Sequence, residues 1–106
     1  MFGRLETLKQ QRSALDAAEA AWHDELAEYH HSGEWRDHHY ANAAAAIADV
    51  CHMDSGVAHA HVNLARKLQR LPDIADAFRA GDISARHASV VASAFTSARS
   101  AKTVNG

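Results

Sequence analysis

Residues 61–72 read HVNLARKLQRLP, and the way this stretch divides into two edges decides the fold. At about 100° per residue, Val57, His61, Leu64, Leu68 and Leu71 gather on one side of a helix. His59, Asn63, Arg66, Lys67 and Arg70 gather on the other. The spacing predicts a helix from about Ser55 to Arg70, with a greasy edge inside and a basic edge in water. Burying its four aliphatic residues contributes on the order of 6–10 kcal/mol before chain entropy is set against it. Leu71-Pro72 ends the helix, because a residue before proline is pushed out of the helical region.

Upstream of this helix, HMDS offers Asp54 as an N-cap and Met53 as a hydrophobic staple onto Ala58. ANAAAAIADVC (41–51) reads as a short helix whose alanines permit close backbone approach while burying little area each. HHSGEW (30–35) breaks the chain, with Gly33 as the helix stop. Before it, residues 3–31 are periodic: Leu8, Leu15, Trp22 and Tyr29 recur every seventh position, and Leu5 and Leu26 share the alternating one. Arg12 and Glu19 interrupt that seam. The segment is an amphipathic helix, packed on the rest of the chain or paired with a second copy.

Downstream, Pro72 starts PDIADAFRA, whose Ile74, Ala77 and Phe78 make an apolar stripe, and Gly81 stops it. Ser84 caps ARHASVVASAF, with Val91, Ala94, Phe95 and Ala98 on one face. The closing TSARSAKTVNG is small and polar, as a flexible tail is. The expected fold is all-α: a long N-terminal helix, then four shorter helices in a helix-turn-helix-like arrangement. Its organisation is a long helix over 1–31, a helical domain over 32–95 and a tail over 96–106.

A chain of 106 residues with one proline and five glycines suits a single helical domain. No run of ~18 apolar residues is present, so no membrane partner is expected. MFGRLETLKQQR lacks the apolar stretch of a secretory signal, and the single Cys51 cannot form an internal disulfide. Both fit a cytoplasmic protein. The net charge of −2 is uneven: residues 1–50 carry four Lys/Arg against nine Asp/Glu, and residues 51–106 carry seven against four. A basic rear half suits an anionic partner, or the acidic front half.

Nine histidines could raise the charge below about pH 6, the range where imidazole titrates. His30, His31, His38 and His39 flank a loop that also holds Glu34 and Asp37, but adjacent histidines on a helix point about 100° apart. The expectation there is surface histidines, with metal convergence as the alternative. His61 falls on the greasy edge and is expected to be a satisfied core histidine; Cys51 beside His52 makes no site. Neither G-x-S-x-G nor H-E-x-x-H occurs, nor a phosphate-cradling glycine loop. No catalytic residue, metal, cofactor or small-molecule substrate is therefore expected.

The turn CHMDSG (51–56), the basic LARKLQRLP (64–72), the phenylalanine helix ending AGDIS (80–84) and ARHASVVA (85–92) keep a shared order and spacing. Over about residues 30–95 the chain resembles the N-terminal region of the actinobacterial 13E12 repeat family, domain of unknown function 222. The family commonly has a tryptophan in the alanine helix; here Trp35 stands earlier and Ala44–Ala46 occupy that place. Many members continue into a C-terminal HNH nuclease domain, whose histidines, asparagine and paired cysteines are not found in this sequence. The resemblance implies a truncated or isolated N-terminal region that does not itself cut.

The order of helix, LQRLP, short helix, GDIS and a further helix is also similar to the DNA-binding helical domain of ParB-type partition proteins. Here the basic helix is more than a turn longer, and Cys51 stands where a glycine makes the sharp turn. Together these likenesses imply a nucleic-acid-binding or targeting module for double-stranded DNA, with His59, Asn63, Arg66, Lys67 and Arg70 as its face. The alternatives are a protein–protein module that forms a homodimer through residues 3–31, and an inactive remnant.

Overall fold

The computed structural model describes the backbone of residues 3–105 and the side chains of residues 3–95. The expected tail at 96–106 lies outside the described side chains. The described residues form six helices and no strand: α1 (Gly3–Ser32), α2 (Glu34–Asp37), α3 (Ala43–Val50), α4 (Ser55–Leu68), α5 (Pro72–Arg79) and α6 (Ala85–Asn105). The all-α class with a long first helix is as expected. The addition is α2, a single turn inside the stretch read as a loop. None of the helices is long and apolar enough to cross a membrane, among the described residues.

The chain groups into two compact units, residues 21–70 and residues 1–20 with 71–106. In the first, α3 packs on α4. Its core is Leu26, Ala27, Ala43, Ala44, Ala58, Val62 and Ala65, flanked by the half-buried Trp22, Tyr29, Trp35, Ile47 and Met53. Alanines let backbones approach closely, and the aromatic rings supply the area the alanines lack. The Trp35 indole N–H donates to the His30 carbonyl at 3.1 Å, satisfying an acceptor near the end of α1. In the second unit α5 packs on α6, with Phe78 fully buried beside the buried Ala75, Ala88 and Ala92.

Three expected faces are turned. In α4 the buried residues are Ala58, Val62, Leu64, Ala65 and Leu68, while Val57 is exposed. The small Ala58 and Ala65 seat in the alanine core, which rotates the buried edge away from Val57. In α1 the buried stripe is Asp16, Ala20, His23, Leu26 and Ala27, and Leu5, Leu8 and Leu15 are exposed. That stripe follows the 3.6-residue period of a straight helix rather than the seven-residue seam. In α6 Ala88 and Ala92 are inside and Phe95 is half exposed, while Ala98 of the expected face lies outside the described side chains.

The helix stops explain several residues. Asn42, not anticipated as a cap, accepts from the Ala45 N–H at 2.8 Å and opens α3. Asp54 does occupy the N-cap of α4, but its side chain makes no capping hydrogen bond. Ser84 caps α6 by accepting from the His87 N–H at 3.1 Å. Three helices end with a left-handed residue followed by an N–H that reaches back five residues: His39 with Tyr40 N–H to Trp35, His52 with Met53 N–H to Ala48, and Gly81 with Asp82 N–H to Ala77. This is the Schellman stop, and histidine fills the usual glycine position in two of the three. His52, one residue beyond Cys51, thus makes the sharp α3–α4 turn without glycine.

Gly81 is held for a second reason. Its carbonyl accepts from the Ser13 hydroxyl at 2.9 Å, and a Cβ there would run into the Ser13 hydroxyl and backbone. Gly81→Ala should therefore cost about 1–3 kcal/mol or more, whereas His52→Gly should be neutral or stabilise by up to about 1 kcal/mol. Urea unfolding of the two variants measures both, and equal losses would contradict the assignment of the stops.

Candidate nucleic-acid interface

α4 carries four residues of the expected basic face, His59, Asn63, Arg66 and Lys67, because its other edge is committed to the alanine core; the helix ends at Leu68, so Arg70 lies in the turn after it rather than on it as expected. His59, Asn63, Arg66 and Arg70 are exposed and Lys67 is half-buried. A half-buried lysine at the rim of a helix lays its stem on the protein and holds its ammonium in water. None of Arg66, Lys67 and Arg70 forms an ion pair among the described residues; the acidic residues of α1 do not neutralise them. Arg12, by contrast, turns along its own helix to the buried Asp16 at 3.1 Å, which accounts for one polar interruption of the α1 seam.

The C-terminal end of α1 extends this edge. His31 Nε2 lies 2.8 Å from the Gln69 side-chain oxygen, so its ring N–H donates there. His30 is half-buried, and its pKa is pushed below the ordinary 6.5 first by burial, then by the Arg66 guanidinium and by His31. Sequence reading treated His30 and His31 as part of a loop cluster. They instead border α4, and no motif pointed to that because the contact joins residues 38 apart.

The other two members of the expected histidine group go elsewhere. His38 stacks on Tyr29, with its Nδ1 2.8 Å from the phenol oxygen, and His39 is the left-handed stop of α2. The Tyr29 pKa is raised by burial and by the Glu34 carboxylate. Tyr40 donates its hydroxyl to the Asp49 carboxylate, which raises the Tyr40 pKa. Arg36 lies 4.8 Å from the centre of the Trp35 ring.

A different cluster forms where α4 faces α1. His23 Nε2 lies 3.1 Å from His61 Nδ1, so one ring donates and the other accepts. His61 is satisfied as expected, yet its partner is a histidine with almost no exposure, only 1%. Trp22 meets both rings edge-on, with centroids 5.1 and 5.0 Å away. Glu19 stands one turn before His23 along α1 and is half-buried. Sequence reading took Glu19 as a seam interruption and passed over His23. The available signal was Glu-x-x-x-His, which puts two ligand types on one helical face.

A family profile described as domain of unknown function (DUF222) matches residues 2–105. The chain belongs to that family, which extends the likeness from about residues 30–95 to nearly the whole sequence. No curated protein and no solved structure matches it.

The depressed pKa of His30 has a stability consequence. Above pH 6.5 its ring is neutral folded and unfolded alike; as pH falls below 6.5 the unfolded chain takes up the proton first. Stability is then lost progressively as pH drops through the lowered folded value. His30→Gln should lose less stability than the parent between pH 7.5 and about 5. Urea midpoints at both pH values test this, and an unchanged or steeper loss in the variant would contradict it.

Proposed function

We propose that this chain is a non-catalytic helical module that binds double-stranded DNA through the outer edge of α4. The observation that carries the reading is the freedom of Arg66, Lys67 and Arg70 from ion pairs among the described residues, the first two on a helix whose opposite edge is buried and Arg70 in the turn that follows it. His59 and Asn63 complete the edge. The cations hold phosphates, and asparagine and arginine are side chains that read base edges. The α3–turn–α4 pair supplies the two-helix form of a helix-turn-helix, with α4 as the helix offered to the groove. The resemblance to the 13E12 repeat family supports a targeting role in the cytoplasm, beside an HNH nuclease carried by other polypeptides or by longer relatives.

One observation favours a second reading, a homodimer through α1. Leu5, Leu8 and Leu15 are 65%, 56% and 60% exposed, a run of large apolar side chains near the start of the helix. A second copy of α1 is the occupant whose periodicity matches that run.

Titration of labelled duplex DNA at rising salt tests the first reading. Three phosphate contacts predict a slope of log affinity against log salt of about −3. Arg66→Ala, Lys67→Ala and Arg70→Ala should each reduce the slope by about one without loss of helicity; a salt-independent affinity, or an unchanged slope in all three, would overturn it. Sedimentation tests the second: Leu8→Glu with Leu15→Glu should convert a dimer to a monomer, and a parent chain monomeric at high concentration rules the dimer out.

A further inference from the structure

We propose that His30 is a further DNA-contacting residue, one that takes up a proton when a backbone phosphate settles between its ring and the Arg66 guanidinium. This contact rests on the DNA reading of α4 and adds a pH control to that same edge. His30, His31, Arg66 and Gln69 all belong to the compact unit of residues 21–70. The His31 ring N–H donates to the Gln69 side-chain oxygen at 2.8 Å, which ties the last turn of α1 to the end of α4. Gln69 stands one turn after Arg66, so the tie holds the end of α1 alongside that guanidinium.

The charges that meet there are of one sign. Those acting on the half-buried His30 ring are Arg66 from α4 and His31 from its own helix, whose ring centre lies 5.2 Å away. One turn back along α1, His30 follows the buried Leu26 and Ala27, and His31 follows Ala27 and the exposed Glu28. From α2 the Trp35 indole donates to the His30 carbonyl, while Glu34 acts on Tyr29 and Arg36 lies over the Trp35 ring. Arg66 has no carboxylate paired to it among the described residues.

Burial and two like-charged neighbours keep the His30 ring neutral where an ordinary histidine begins to protonate. A phosphodiester supplies the counter-charge. An opposite charge within about 4–6 Å favours the ionised form by about 1–3 pH units. The phosphate offsets the repulsion from Arg66 and His31, the imidazolium forms, and its N–H donates to a phosphate oxygen beside the guanidinium. The proton comes from solvent, so the complex holds one more proton than the free chain. Linkage fixes the sign: affinity rises as pH falls through the bound-state value and levels off below the free-state value, which lies under 6.5. The rise is at most about tenfold for each pH unit.

The experiment compares two chains, both carrying His59→Gln so that the other histidine of the edge gives no proton. One keeps His30 and the other carries His30→Gln. Anisotropy of labelled duplex DNA is followed at constant salt from about pH 7.5 to about pH 5.5, with helicity recorded throughout. The chain with His30 should gain about three- to tenfold in affinity per pH unit, and His30→Gln should lose most of that gain. His38→Gln, whose parent ring stacks on Tyr29, should keep it. Ring NMR of the parent is a second readout, which stands even if a variant fails to fold: saturating DNA should raise the His30 midpoint by about one pH unit or more. An equal gain with and without His30, no gain in either chain, or a midpoint unmoved by bound DNA overturns this proposal and leaves the DNA reading standing. Absence of DNA binding at every pH and salt overturns both.

Discussion

The seating of α4 in an alanine-lined core is the constraint on which the rest depends. Ala58 and Ala65 on α4, Ala43 and Ala44 on α3, and Ala27 on α1 are all nearly without exposure. Small side chains bring helices close, but each buries little, so no single contact holds the arrangement. Leu26 and Val62 add aliphatic area, and Trp22, Tyr29 and Trp35 cover the flanks. A core of this kind has little slack: a larger side chain at Ala58 or Ala65 has nowhere to go, since overpacking forces backbone shifts. The rotation of α4 about its own axis follows from this fit. So does the division of its residues into an edge that meets α1 and an edge left in water.

Charge acts through position rather than through the total. Residues 21–70 carry seven Asp/Glu and only four Lys/Arg, yet three of the four cations fall within five residues, Arg66 and Lys67 on α4 and Arg70 just after its end. A polyanion approaching that edge meets guanidinium and ammonium groups first, with His30 and His31 at the border. The acids of α1 at Asp24, Glu25 and Glu28 are exposed in their turn, and the module as a whole stays near neutrality. Binding governed by a local stripe of this kind is short-ranged and strongly sensitive to salt.

Much of this was legible in the sequence, and the failures have physical causes. Helix identities and most stops followed from Pro72, Gly33, Gly81 and Ser84, whose effects are local. The polar edge of α4 was legible because charged groups avoid burial whatever the neighbours do. The buried edge was read less well, since a hydrophobicity pattern ranks Val57 above Ala58 and Ala65, whereas close packing selects the smaller residues. The same error put Leu8 and Leu15 inside α1 and left out Ala20 and His23. Histidine in the left-handed stops at His39 and His52 was hidden, because a histidine there looks like any other. The pairing of His23 with His61 joins residues 38 apart, and only the three-dimensional register of α1 against α4 brings it out.

The rotational setting of α4 can be measured directly by thiol labelling. With the exposed Cys51 replaced by serine, single cysteines are placed at Ala65→Cys and at the adjacent Arg66→Cys. A cysteine at position 66 should react with a maleimide or disulfide reagent as fast as an unfolded thiol does. One at position 65 should react only as fast as the protein opens. Equal rates at the two positions in the folded chain would mean that α4 is not seated as described, and the outward basic edge would have no foundation.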